Sequence, residues 1–136
     1  MGLTEEAQLK VDQACQAAKE FSKLYYETMD KKRHLLAKLY QETAEEIWNG
    51  NVHKGKDEIL KTLGELPATE HKVESLDCQP IPDSISPGQF TVIVKVYGTV
   101  SYTSNNLRSF HQSFILTSQN NVWKIISDTF RFQDKY

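Results

Sequence analysis

Apolar residues recur at three- and four-residue intervals through the first third of the chain. Val11, Ala14, Ala18, Phe21, Tyr25 and Met29 fall on one stripe, and the spacing predicts a long amphipathic helix. Thr4, followed by Glu5 and Glu6, reads as its N-cap and acidic first turn. A second, short helix is expected from Arg33 to Tyr40, with Leu35, Leu36 and Leu39 turned inward. Lys31, Lys32 and Arg33 read as the solvated C-terminal end of the first helix. Ala44 to Trp48 reads as a strand, and Asn49-Gly50-Asn51 is a strong tight-turn signal. Gly55-Lys56-Asp57 opens a third helix carrying Ile59, Leu60, Leu63 and Leu66, which Pro67 stops.

From about Lys72 the period changes to two. A strand through Val73, Leu76 and Cys78 ends near Pro80 and Pro82, and a loop follows to Pro87-Gly88. Three long strands come next: Phe90 to Tyr102, Leu107 to Ser118 and Val122 to Phe132. Their connections, Thr103 to Asn106 and Gln119 to Asn121, contain asparagines that tolerate tight hairpins. Helices first and a strand meander afterwards predict an α+β domain, a curved antiparallel sheet with helices packed on one face. The whole chain, 1–136, is read as one such domain.

Both parities of the last strands carry large apolar groups. In the final strand Val122, Ile126, Asp128, Phe130 and Phe132 share one parity, and Trp123, Ile125, Ser127, Thr129 and Arg131 the other. In the strand before it Phe110, Gln112, Phe114 and Leu116 alternate with Ser109, His111, Ser113 and Ile115. A sheet with one solvated face shows a cleaner alternation, so the face away from the helices is expected to meet a partner. The alternative is that bulges move residues between faces.

Composition narrows the classes of function. A net charge of −2 supplies no global field for nucleic acid or acidic membranes. No apolar run approaches the ~20 residues of a membrane span. The two cysteines, Cys15 and Cys78, suggest neither a metal site nor a disulfide framework, and a reducing compartment is expected. Glu45, Glu46, His53, His111 and Asp128 are the candidate acids and bases. Asp128 leads, because it shares a parity with Phe130, and its competing reading is a buried carboxylate bonded to a hydroxyl near Tyr25 or Tyr26. His34, His53 and His71 read as solvent-facing. No nucleophile–base motif, phosphate loop or metal-ligand spacing is present, so the residues favour a binding module without catalytic, cofactor or metal sites.

Several stretches resemble the nuclear transport factor two fold family: Phe21 to Tyr26 with Asp30, Leu39-Tyr40, Trp48 to Asn51, Gly55-Lys56, Leu66-Pro67 and Asp77 to Pro80. Phe110 to Thr117, Val122 to Ile125 and the ending Asp128 to Asp134 complete the match, and that ending is most similar to the export-partner branch of the family. The resemblance implies a non-catalytic subunit that pairs with the related domain of a TAP-type mRNA export receptor. Nucleoporins and mRNA would be engaged only indirectly, in nucleus and cytoplasm and at nuclear pores.

Within that resemblance Arg131 is implied to pair with a receptor aspartate, its planar fork suiting a carboxylate. Gln112, Phe114, Trp123 and Thr129 are expected beside it, in an interface on the order of 1,200–2,000 Å². The Ran-importing branch has an acidic residue after the hairpin tryptophan, where this chain has Asn49, and acidic residues in the loop that here reads Thr103 to Asn106. It also has a first-helix tryptophan that meets phenylalanine–glycine repeats, where this chain has Ala14. Ran is therefore not expected as a partner. A homodimeric Ran-GDP carrier and a small-molecule isomerase or dehydratase are the rival readings, since one fold hosts many functions.

Overall fold

A computed structural model describes residues 5–81, 89–102, 107–119 and 122–133. The expected cap at Thr4 and the connections 82–88, 103–106 and 120–121 lie outside these residues. Helix α1 spans Glu5–Lys31 and buries Ala14, Ala18, Phe21, Tyr25 and Met29 of the predicted stripe, with Tyr26 added and Val11 only half-buried. The second helix is a 3₁₀ segment, Arg33–Leu39, in which Leu36 and Leu39 are buried. Strand β1, Tyr40–Trp48, follows without a break and begins four residues earlier than the alternation suggests.

Asn49 (φ 47°) and Gly50 (φ 88°) take the left-handed conformations that turn the chain into β2, Asn51–Lys54. Helix α2, Lys56–Gly64, buries Ile59 and Leu63. The remaining strands are β3 (Thr69–Pro80), β4 (Gln89–Tyr102), β5 (Leu107–Gln119) and β6 (Val122–Phe132).

The six strands form one curved, open sheet in the order β2-β1-β6-β5-β4-β3. The α+β class and the helix-covered face are as expected, with one difference in pairing. β1 runs parallel to β6, whereas the other four neighbouring pairs are antiparallel. The reason is topological. After β1 and β2 the chain crosses through α2 to the far edge, and the meander β3–β6 then brings β6 back alongside β1.

Under the helices lie Tyr40, Phe110, Phe114, Phe130, Leu36, Leu116 and Ile125, all fully buried. The Trp48 ring stacks on Phe130 at 4.0 Å and Phe130 on Phe110 at 5.2 Å, which locks β1, β6 and β5 to one another. Burying side chains of this size stabilises the fold by roughly 1.5–3 kcal/mol each.

A polar clasp closes the end of α1. Asp30 accepts hydrogen bonds from Thr69 Oγ1 (2.8 Å) and the His71 main-chain N–H (2.8 Å), and lies 2.6 Å from His71 Nδ1. Arg33 donates to the carbonyl oxygens of Met29, Leu63, Leu66 and Pro67 and to Thr69 Oγ1. Two expectations are corrected here. His71 is nearly buried on β3 rather than solvent-facing, and Arg33 is a clamp rather than part of a solvated basic end. The acceptors that recruit them, carbonyls in and just beyond the last turn of α2 and the Asp30 carboxylate, come together only in three dimensions.

Candidate functional site

Among the described residues, polar groups cluster inside the cone, and apolar groups stand exposed on the sheet face turned away from the helices. Inside, Asp128 is the centre. Tyr40 donates its hydroxyl proton to Asp128 Oδ2 at 2.7 Å, and Gln112 Nε2 donates to Oδ1 at 2.7 Å. Because the Tyr40 proton is committed to Asp128, Tyr25 is the donor in the 2.9 Å contact between the two hydroxyls. Tyr26 donates to Gln112 Oε1 at 2.7 Å. Two chains of hydrogen bonds thus converge on one carboxylate, and all five side chains are buried.

Glu46 stands opposite Asp128 in the β1–β6 pairing and is equally buried, with both oxygens lacking a fixed hydrogen-bond partner. Burial, and then the Asp128 charge, push Glu46 up to about 9, so it holds a proton at neutral pH. Burial also raises Asp128, but the bonds from Gln112 and Tyr40, and the facing protonated Glu46, favour the charged form and oppose the rise. One proton on Glu46 and one charge on Asp128 is the state this geometry supports. Burial, then the nearby carboxylates, hold the hydroxyls of Tyr25 and Tyr40 protonated.

Catalysis at Asp128 would need a free lone pair facing a substrate. Asp128 has no solvent exposure, and each of its oxygens accepts a hydrogen bond from a buried side chain of its own core. The expected bond to a hydroxyl is thus observed, with Tyr40 rather than Tyr25 or Tyr26 as the direct partner.

The opposite face is built from three rows that run across the strands. Ile47 sits between Val52 and Thr129, and the row continues through Ser113 and Lys95 to Asp77. A second row is Glu45, Ser127, Ile115, Ile93 and Gln79. The third places Arg131 beside His111, Tyr97 and Ser75. Ile47, Val52 and Tyr97 are 37%, 53% and 37% exposed, far above ordinary core values, and nothing in the chain's described residues covers them. Arg131 is exposed, and its side chain has no hydrogen-bond or ion-pair partner among the described residues.

Of the five residues expected at a partner interface, Arg131 and Thr129 stand on this face. Gln112 and Phe114 do not: they point into the cone, where Gln112 binds Asp128 and the Phe114 ring meets Tyr25 at 4.8 Å. Trp123 is also on the helix side, lining a hollow of about 440 Å³ with Phe21, Leu24 and Leu39. The cause is a bulge. Ile115 pairs with Ser127 but Leu116 with Ile125, so Ile126 is an extra residue, and parity reverses along β6. Of the other candidate acids and bases, Glu45 and His111 lie on the outer face, and His53 faces Glu58 at 3.8 Å.

Comparison with known proteins agrees with this architecture. The nuclear transport factor 2 (NTF2) domain matches residues 17–132. The chain belongs to the NTF2 family. NTF2-related export protein 1 of Bos taurus is 49% identical over 128 residues, covering 91% of this chain and 91% of its own. The solved NTF2 of Cryptosporidium parvum has a TM-score of 0.77 at 28% identity, covering 87% of this chain and 93% of that one. A chain of the C. albicans Mtr2-Mex67 M domain complex shares the fold with a TM-score of 0.74 at 15% identity, covering 88% and 94%. The relatives matched by sequence include nuclear transport and export proteins.

Proposed function

We propose that this NTF2-family chain is the non-catalytic partner subunit of a TAP-type mRNA export receptor, pairing sheet to sheet with the receptor's own related domain. The observation that carries the reading is the outer face. Ile47, Val52 and Tyr97 stand uncovered around hydroxyl-bearing residues and the unpaired Arg131, a composition suited to a protein partner rather than to water. The export-protein names of the relatives support it, as does the fold shared with a chain solved in the Mtr2-Mex67 M domain complex. Arg131 is the expected recognition residue, facing a carboxylate of the partner; Thr129 lies one row away on the same strand face.

The role follows from linkage. A subunit that binds only the folded receptor domain stabilises that domain, which in turn engages nucleoporins, so this chain acts on mRNA indirectly, at pores and on both sides of the nuclear envelope. Two identical copies placed face to face would bring Arg131 against like charge, which favours the heterodimer. Ran carriage is not part of this reading, because Asn49 offers no charge for a basic partner at the hairpin.

Co-purification with the receptor's related domain tests it. The unaltered chain should form a one-to-one complex, and Arg131→Asp, still folded by circular dichroism, should weaken it by at least about tenfold. Unchanged affinity removes Arg131 from the interface; no complex with the unaltered chain overturns the reading.

A further inference from the structure

Cys15 and Cys78 are 63 residues apart in sequence, yet the fold brings them together between α1 and β3. The Cys15 thiol points at the Cys78 main-chain oxygen, 3.5 Å away. Both side chains are half-buried, and both are free thiols. On β3 the exposed Asp77 and Gln79 alternate with Leu76 and Cys78, so Cys78 faces the helix that carries Cys15. Burial, and then the neighbouring Cys15, push the Cys78 thiol up to about 12. Lys19, one helical turn beyond Cys15, acts in the opposite direction.

We infer that Cys15 and Cys78 form a reversible dithiol–disulfide site that staples α1 to the edge strand β3 when a low-molecular-weight disulfide such as oxidised glutathione is present. The chemistry divides between the two residues. The Cys15 thiolate attacks one sulfur of the small disulfide, forming a mixed disulfide and releasing one small thiol. The Cys78 thiolate then attacks Cys15 Sγ, forming the internal disulfide and releasing the second small thiol. Two protein thiols lose two electrons and two protons, and one small disulfide gains them.

The order has a physical basis. Burial and the neighbouring Cys15 keep Cys78 protonated, so Cys15 is the first nucleophile. Once Cys15 is capped it can no longer carry a thiolate charge, Lys19 still favours the Cys78 thiolate, and Cys78 lies beside the mixed disulfide it must attack. In a reducing compartment the disulfide would be transient, formed under oxidation and reversed by small thiols. The site lies on the helix side of the sheet and leaves the outer face unaltered.

The test uses the folded, unaltered chain. It is incubated with oxidised glutathione, quenched with an alkylating agent and weighed intact. The expected product is a monomer lighter by two hydrogens, with neither thiol alkylated and no glutathione attached. Dithiothreitol should restore both thiols, and the oxidised form should melt several degrees higher. Cys78→Ser should stop at a stable glutathione adduct on Cys15. A stable glutathione adduct on the unaltered chain, a disulfide between two chains, or two thiols that remain fully alkylatable would each overturn the proposal.

Discussion

Glu46 and Asp128 sit opposite each other in the only parallel pairing described in the sheet, both without solvent exposure, and between them they hold one proton. A carboxyl group that is protonated in the fold but ionised when unfolded makes folding take up a proton. Glu46 rises from 4.5 to about 9. Its contribution to stability is therefore full below pH 4.5 and declines as pH rises, until it is lost above about pH 9.

Glu46→Gln keeps the shape, removes the proton and offers an amide donor to Asp128. We expect the variant to melt at or above the parent temperature at pH 8, with the difference shrinking towards pH 5. Proton uptake on folding at neutral pH, read by pH-stat or by the pH slope of urea unfolding, should fall by close to one. A parallel pH slope in the two proteins would show that Glu46 is ionised in the fold.

The Asp30 clasp carries the opposite sign. Burial raises the Asp30 carboxyl, but the bonds from His71 and Thr69 outweigh it and hold the group below its ordinary 3.8. That stability is present above pH 3.8 and is lost as the pH falls through the lower folded value. Asp30→Asn should cost about 1–3 kcal/mol at pH 7, by removing a charged acceptor from three donors. The cost should shrink in acid, which denaturant titrations at pH 7 and pH 3 can compare. Equal losses at both values would place the clasp's contribution in packing rather than charge.

Gly98 tolerates no side chain. It faces Val73 at the irregularity between Val73 and Ser75, and a Cβ there would overlap the Lys72 carbonyl oxygen and lie 3.2 Å from Val73 Cα. Both neighbours are main-chain atoms, so relief requires moving β3. Gly98→Ala should destabilise by more than about 2 kcal/mol in urea unfolding, although alanine normally suits a strand better than glycine. A neutral result would mean that β3 shifts at no cost.

Much of this was legible in the residues. The α1 stripe, the Asn49-Gly50 turn and the long strands each rest on local spacing that no distant contact needs to supply. Asp128 stood out because a carboxylate among Phe130 and Phe132 has to be buried or functional. The facing of Trp123 was not legible. A one-residue bulge at Ile126 leaves no compositional mark, yet it reverses every side chain N-terminal to it on β6. Gln112 and Phe114 were misplaced for a different reason. Their parity is readable from Phe110, but the partners that hold Gln112 inside, Tyr26 and Asp128, meet it only in three dimensions. The Arg33 clamp and the Cys15–Cys78 contact depend on which helix end meets which strand, information that no linear spacing carries.

The strand order bears on how the protein is made. β1 is synthesised early but has its long-range partner in β6, and Tyr40 waits for Asp128, 88 residues later. Until β6 has left the ribosome, β1 lacks a neighbour on one side, and the core face of the nascent sheet lacks Phe130 for Trp48 to stack on. Folding by this topology is intrinsically slow and late, and chains interrupted before β6 would expose an unpaired edge to other nascent chains and to chaperones.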